Sequence, residues 1–492
     1  MSDMVERIEL APDFTISRVL TGLWQIADME RDGSTLDPVA SATAMGRYVE
    51  AGFTSFDMAD HYGSSEVIAG RFRETTGSDS VELLTKWVPE PGRHTRENVR
   101  AAVQLALERT CSEVVDLLQF HAWSYPDPGW LDCLFWLQEL KQEGLIRHLG
   151  LTNFDTAHLG MVVHSGIEVV SNQVCYSLID QRARASMTDL CLKHDIKLLA
   201  FGTVAGGLLT EPWLGAVEPD VDSLDTWSKM KYKRFIDVAG GWAAFQGLLE
   251  VIQGVARRHG VSMANVACRY ILEQPAVAGV IIGARLSRSE HAQDNLNLFR
   301  FSLDEVSHAE IEAALKEFGL PPGDCGDEYR KPPFLTAAGD LSHHFDSFPL
   351  PYDVRVGDDG RSRVLTGTMW EGFAGYSRAL RYGERIWVSG TTATHGDRAI
   401  GGGDAVAQTH FVIDKIEGVL ESLGSRLEDV VRTRVYVRDI EDWEAVARVH
   451  GERLGGIQPA NTLVQAKLVA DGYLVEMEAE AVVGCNVAKR FP

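Results

Sequence analysis

Apolar residues in roughly the first 300 positions fall into short unbroken runs, separated by stretches in which they recur three and four apart. The runs predict strands over Arg18 to Gly22, Thr54 to Ala59, Val81 to Trp87, Val115 to His121, Ile146 to Asn153, Val169 to Tyr176, Lys197 to Val204 and Val277 to Ala284. The intervening period predicts helices such as Thr95 to Cys111 and Trp130 to Glu143, the second stopped by Gly144. Strand-then-helix units repeated eight times point to an α/β protein built on a (β/α)8 barrel rather than an open doubly wound sheet. One connection, Thr210 to about Gly241, is unusually long and carries Trp213, Trp227 and Trp242, which suits a lid over the barrel mouth.

An amphipathic helix, Asp304 to Phe318, ends a first domain of residues 1–320. From Pro321 to Pro351 the periodicity gives way to Pro, Gly and Asp, and residues 321–351 read as a linker or wrapping segment. Residues 352–492 change character. Strand Arg385 to Thr394 leads to helix Asp404 to Leu423, strand Val430 to Asp439, helix Trp443 to Leu454, and strands Asn461 to Val469 and Leu474 to Val483. That pattern describes a small α+β domain with no repeat relation to the barrel.

Length and composition agree with two globular domains: 492 residues, 45% apolar and 24% charged. A net charge of −23 argues against nucleic acid as a partner, because phosphate binding needs a basic face. Seven cysteines, scattered from Cys111 to Cys485 without a CxxC, fit reduced thiols; Cys175, Cys191 and Cys268 read as core packing. The start, MSDMVERIEL, lacks a signal pattern, and no apolar run has membrane-spanning length, so a cytoplasmic protein without a membrane partner is the expectation. No metal site is expected either, since the His343–His344 pair has no ligand spacing around it.

Candidate chemistry sits where strands end. Asp57 and Tyr62 follow the second strand, Lys86 lies near the end of the third, and His121 ends the fourth. Polar residues closing three consecutive apolar strands would share the C-terminal mouth of a barrel. A lysine there favours the phenolate of a nearby tyrosine, so Tyr62 could act as a proton donor. Asp57 would hold Lys86 charged and aimed, and His121 would fix a carbonyl oxygen. Trp24, Trp87 and Trp123 follow or flank these strand ends and suggest a ring-lined pocket for an apolar or aromatic carbonyl.

The pieces FDMADHYG, LLTKW, VDLLQFH, GLIRHLGLTNF, NQVCYS and AFGTVAGGLL resemble, in this order and over about residues 7–320, the aldo-keto reductase superfamily. The resemblance implies hydride transfer from a nicotinamide to an aldehyde or ketone, with Asp57, Tyr62, Lys86 and His121 as the tetrad and Tyr62 as the acid. It also implies that Asn153 and Gln173 hydrogen-bond the carboxamide, that Phe201 stacks on the nicotinamide, and that Thr152 and Gly202 are further cofactor-binding residues. No G-x-G-x-x-G occurs, and this family uses none. Gly283 to Asn295 matches the adenosine-phosphate segment, with Gly283, Arg285, Arg288, His291, Asp294 and Asn295 as contacts. Arg285 and Arg288 favour NADP; His291, where an arginine is often found, leaves NAD as the alternative.

Residues from about 352 to 488 resemble the RidA/YjgF family through WVSGTTAT, LGSRLEDVVRTRVYVRDIEDWEAV, PANTLV and LVEMEAEAV. A chorismate-mutase-like fold and a homo-oligomer, a trimer, are what that resemblance implies. Tyr376, Ser389, Asn461 and Glu476 would mark its cleft. Deaminating members use an arginine where this chain has Asn461, and an amide lacks the guanidinium's charge and bidentate grip, so a different ligand or a scaffolding role is expected. Two further readings stand beside a reductase: a cofactor-binding sensor or scaffold, and joint handling of an imine or enamine by both domains.

Overall fold

The computed structural model describes residues 5–30, 32–76, 81–286, 291–335 and 348–485. A hairpin of β1 (Arg7–Ala11) and β2 (Phe14–Ser17) comes first. Eight parallel strands then close into a barrel: β3 (Val19–Gly22), β4 (Ser55–Asp57), β5 (Glu82–Trp87), β6 (Val115–Phe120), β7 (Ile146–Thr152), β8 (Ser171–Cys175), β9 (Lys197–Phe201) and β10 (Val277–Gly283), with β10 bonded to both β9 and β3. Leu10, Phe14 and Ile16 of the hairpin pack with Leu20, Leu84, Leu117, Leu199 and Ile281 in one buried cluster. The hairpin therefore plugs the end of the barrel where the strands begin.

Strand alternation sets the rest. Leu84 and Leu117 belong to that inner cluster, so Lys86 and Gln119, two residues on, point the same way at the level above. Leu83, Trp87, Leu118 and Phe120 belong to the outer layer, packed against the surrounding helices. The interior is thus apolar at the bottom and polar at the top.

The observed strands are shorter than expected, β4 covering Ser55–Asp57 only, because Met58 and Asp60 donate to the Leu84 and Lys86 carbonyls from a loop. Ser64 gives its hydroxyl to Glu30 across the mouth instead of to its own helix, Ser65–Thr76. The long connection after β9 holds the 3₁₀ turns Glu211–Trp213 and Val221–Ser223 and a helix, Trp227–Ala239, rather than an open loop. Within the expected wrapping segment, Asp327–Arg330 forms one helical turn; His343 and His344 lie outside the described residues.

The C-terminal domain carries three strands that the apolar pattern did not signal: β11 (Val354–Val356), β12 (Ser362–Val364) and β13 (Ala379–Tyr382). They join β14 (Arg385–Thr392), and, after the small ladder of β15 (Thr394–His395) and β16 (Arg398–Ala399), β17 (Val430–Val437), β18 (Ala460–Gln465) and β19 (Val475–Val482). The sheet runs β11-β12-β13-β14-β19-β17-β18, with only the β17–β18 pair parallel among these neighbours. Helices Ala405–Ser422 and Trp443–Leu454 cover one face.

Helix Ala405–Ser422 is buried nearly all round, polar residues included, because its outer side docks on the barrel helix Thr156–His164. A side chain at Gly418 would strike the Pro126 carbonyl of the barrel, so a glycine is what lets the helix approach. At the centre of the contact the His158 ring lies between Asp155 at 2.7 Å and Asp414 at 2.9 Å, and Arg453 meets Asp414 at 2.7 Å. Tyr125 stacks on the imidazole with centroids 3.4 Å apart. Desolvation opposes the charge on His158, but the two carboxylates outweigh it and hold the imidazole up to about 9. Next to it His410 is pushed down to about 4 by burial and by the His158 charge, and stays neutral.

His158 binds its proton more tightly in the folded chain than its ordinary value of 6.5 allows, so its contribution is full below that pH and is lost as pH rises through about 9. The His158 share of thermal stability is expected to fall by on the order of 3 kcal/mol between pH 6.5 and 9, read as the gap between wild type and His158→Gln, because Lys415, held down to about 7 by burial, runs the other way above that pH. His158→Gln should melt lower than wild type at pH 6.5, and the gap between the two should close as pH rises to about 9.

Candidate active site

The polar level of the barrel centres on Lys86. Its ammonium donates to both Asp57 oxygens at 2.8 and 2.7 Å and to the Met58 carbonyl at 2.9 Å. Both side chains are almost wholly buried. Desolvation draws the ammonium's pKa down, and the Asp57 carboxylate opposes that pull. Gln173 gives its amide hydrogens to Asp57 at 2.7 Å and to Gln119 at 3.0 Å, and Gln119 donates on to Asp57 at 3.4 Å. Asp57 is therefore satisfied from three sides, as a buried carboxylate must be.

Tyr62 stands over this pair, with Lys86 Nζ 4.7 Å from its ring centroid. Trp24 and His61 hold the ring edge-on at 4.9 and 4.8 Å. His121 donates from Nδ1 to the Thr152 carbonyl at 3.3 Å, since a carbonyl can only accept. Its ring meets Trp123 at 4.5 Å and Tyr329 at 5.6 Å. Asp57, Tyr62, Lys86 and His121 all open into one cavity of ≈ 600 Å³, a common size for ligand sites.

Thr152, Asn153, Gln173, Phe201, Gly202, Gly283, Arg285, His291, Asp294 and Asn295 line the same cavity; Arg288 lies outside the described residues. Asn153 has φ +59, a conformation asparagine tolerates, and its buried Oδ1 has no hydrogen-bond partner. With both amide hydrogens of Gln173 committed, its Oε1 is left to accept. An unmet acceptor on Asn153 beside a second on Gln173 fits a carboxamide N–H₂, so these residues suit a nicotinamide. At Gly202 φ is +76, and a Cβ would run into the Tyr232 hydroxyl, which keeps the wall beside Phe201 flat.

Toward the other end, Asp294 accepts from Ser262 at 2.9 Å and Asn265 at 3.0 Å. Its carboxylate is thus spent on holding these neighbours. Arg285 reaches Asp28 at 3.4 Å and keeps a third of its side chain exposed. The helix Trp227–Ala239 roofs this end, with Gln25 bonded to Ser228 at 3.3 Å and Trp24 against Trp227 at 5.9 Å.

Trp24 and Trp123 line the cavity, but Trp87 does not. Alternation that turns Lys86 inward sends Trp87 outward, where it packs on Phe120 and His94, each at 5.6 Å. Among the lining residues that the sequence does not signal are Lys231 and Tyr329, joined by a 2.6 Å hydrogen bond. Lys231 sits in WSKMKYKRF, where a basic run reads as a solvated face, and Tyr329 in the presumed linker. A buried Lys231 on a helix whose other face is solvated could have been signalled only by the aromatic spacing around it.

In the C-terminal domain, Tyr376 accepts from Arg378 at 2.9 Å, and Arg378 pairs with Glu371 at 3.3 Å in a buried site. Ser389 donates to the Ser377 carbonyl at 2.9 Å. Burial raises the Glu476 carboxyl, with Arg378 pulling the other way. Asn461 is exposed on edge strand β18 opposite Thr433, whereas Glu476 faces Tyr436, three residues further along β17. Within one chain Asn461 and Glu476 are therefore apart.

A barrel with a polar, one-ended mouth shaped for a nicotinamide carboxamide defines an NAD(P)-dependent oxidoreductase. The chain belongs to the aldo/keto reductase family, whose model matches residues 18–316. Residues 368–483 match a second family model, endoribonuclease L-PSP. A NADH-specific methylglyoxal reductase of Escherichia coli is 24% identical over 327 residues, covering 60% of this chain and 93% of that protein. A RutC family protein of Pyrococcus abyssi is 36% identical over 107 residues, 22% of this chain and 84% of its own length. Flagellar radial spoke protein 5 of Chlamydomonas reinhardtii is 29% identical over 241 residues, 41% of this chain and 46% of that protein. Among solved structures, a glycerol dehydrogenase from Gluconobacter oxydans shares the barrel fold at TM-score 0.53 and 22% identity, covering 66% of this chain and 98% of its own. No single helix among the described residues is long and apolar enough to cross a membrane.

Removing Asp57's charge leaves Lys86 buried without its counter-ion. Asp57→Asn should cost about 3–5 kcal/mol of unfolding free energy. Asp57→Leu combined with Lys86→Met should recover a large part of that loss, as denaturant titration of the three proteins will show.

Proposed function

We propose that the chain reduces aldehydes or ketones with NADPH, using Tyr62 as the proton donor. The observation that carries this reading is the Lys86 ammonium lodged between the Asp57 carboxylate and the Tyr62 ring at the plugged barrel's mouth. When bound, the nicotinamide supplies a hydride to the carbonyl carbon. Lys86 stabilises negative charge on the phenol oxygen as the proton leaves it. Asp57 keeps Lys86 in place, and Gln119 and Gln173 keep Asp57 in place. His121 presents Nε2 as a donor when its ring is protonated and as an acceptor when neutral, so it can hold a carbonyl oxygen or an alcohol hydroxyl. Asn153 and Gln173 orient the carboxamide, and the Trp227–Ala239 roof excludes water.

NADP in preference to NAD is supported by Arg285, an accessible guanidinium at the far end of the cavity. The C-terminal domain serves chiefly to assemble the chain as a trimer. In support, among the described residues β14, β17 and β19 leave one sheet face without covering helices, and Trp387, Arg434 and Tyr436 stand on the face opposite the buried Ile386, Val435 and Val437. The separation of Asn461 from Glu476 within one chain also suits a cleft completed only between subunits, with Tyr376, Ser389 and Glu476 on one wall.

Three measurements test these statements. Tyr62→Phe should reduce NADPH oxidation by an aldehyde panel by about 10²–10⁴-fold while leaving NADPH binding unchanged; equal activity in the two proteins would remove Tyr62 from the acid role. Arg285→Leu should weaken NADPH about tenfold, ~1.4 kcal/mol, and NADH hardly at all. Light scattering should give a particle of three 54.2 kDa chains, and a monomer at micromolar concentration would overturn the assembly role.

A further inference from the structure

Among the described residues, four lysines and arginines line the catalytic cavity, and three of them face a carboxylate: Lys86 meets Asp57, Lys229 meets Asp225, and Arg285 meets Asp28. Lys231 is different. It is 5% exposed, and among the described residues no carboxylate lies within ion-pair reach of it. Its ammonium donates to the Tyr329 hydroxyl at 2.6 Å and otherwise rests on ring faces, those of Tyr329 at 4.5 Å and Phe201 at 5.0 Å. Neighbours on the same helix show what a lysine does where a carboxylate is in reach: Lys233 pairs with Glu218 and Asp237.

Burying an ammonium against hydroxyl and π density recovers only part of its hydration, so the site is short of one negative charge. That charge has to come from whatever fills the cavity. The location decides between the two candidates, a cofactor phosphate and a substrate group. Tyr329, the ring that Lys231 caps, also touches His121 at 5.6 Å and Trp123 at 6.4 Å. Arg285, which suits a phosphate, pairs instead with Asp28.

We propose that Lys231 is the specificity-determining contact for an anionic group on the substrate, so that the preferred substrates are aldehydes or ketones carrying a carboxylate a short distance from the carbonyl. This rests on the carbonyl reductase reading above and narrows it. The aromatic walls and the one cation without a carboxylate among the described residues together describe an amphipathic acid: an apolar body between Trp24 and Trp123, and an anionic end at Lys231 and Tyr329.

The probes are 4-carboxybenzaldehyde and its methyl ester, methyl 4-formylbenzoate, which differ only in the charge. Binding to the full chain with oxidised NADP present is read by tryptophan fluorescence, so no turnover is needed. Wild type should bind the acid at least tenfold more tightly than the ester. Lys231→Met should abolish that ratio by weakening the acid alone, Lys231→Arg should keep most of it, and the affinity for NADP should be the same in all three. Equal ratios in wild type and Lys231→Met overturn the proposal, and so does a loss of NADP affinity as large as the loss for the acid, which would give the ammonium to the cofactor. Failure of the underlying reading looks different: both compounds would then remain unreduced when NADPH or NADH replaces NADP, whatever the binding ratio.

Discussion

A charge pair held away from water at the top of a barrel is the constraint around which this molecule is arranged. Lys86 and Asp57 cannot share that position unless every remaining lone pair and hydrogen finds a partner, and the neighbouring strands supply them through Gln119, Gln173 and the Met58 carbonyl. The two glutamines come from different staves because a barrel turns every second residue of each strand inward. The same alternation puts leucines beneath them and requires something apolar to seal the bottom, which the β1–β2 hairpin provides. Polar mouth and plugged floor are two results of one register.

Much of this could be read in the chain itself. Eight apolar runs with helical spacing between them are enough for a closed parallel barrel, and the residues ending those runs are the ones that meet in the mouth. Position along a strand does not reveal which way a side chain faces when both faces are apolar, and so Trp87 reads as a pocket residue beside Lys86 when it belongs to the outer core. The strands at Val354–Val356 and Ser362–Val364 were hidden by their brevity and by the charged residues they carry. Lys231 was hidden for a different reason: its burial depends on Phe201 and Tyr329, which lie 30 and 98 residues away in the chain and meet it only through tertiary folding.

The contact between the domains follows the same physics as the active site. Helix Ala405–Ser422 presents His410 and Asp414 on a face that an isolated domain would have to hydrate. Against the barrel, Asp414 meets an imidazolium and a guanidinium, and the charge that makes the helix costly to bury alone is what specifies its docking partner. Apolar burial alone would leave the docking angle loosely set; a histidine clasped between carboxylates from both domains leaves little freedom.

The turn Asp327–Arg330 lies beyond the last barrel helix, yet it is built into the mouth. Arg330 holds the Ala122 and Asn153 carbonyls, and Tyr329 supplies one wall. The ring of strands and helices is thus geometrically closed before the chemistry is complete, and the tail of the barrel is as much a part of the pocket as any stave. Because Lys331, next in line, already borders the cavity between the domains, a displacement of the C-terminal domain has a lever only one residue long on the groups that would grip a substrate.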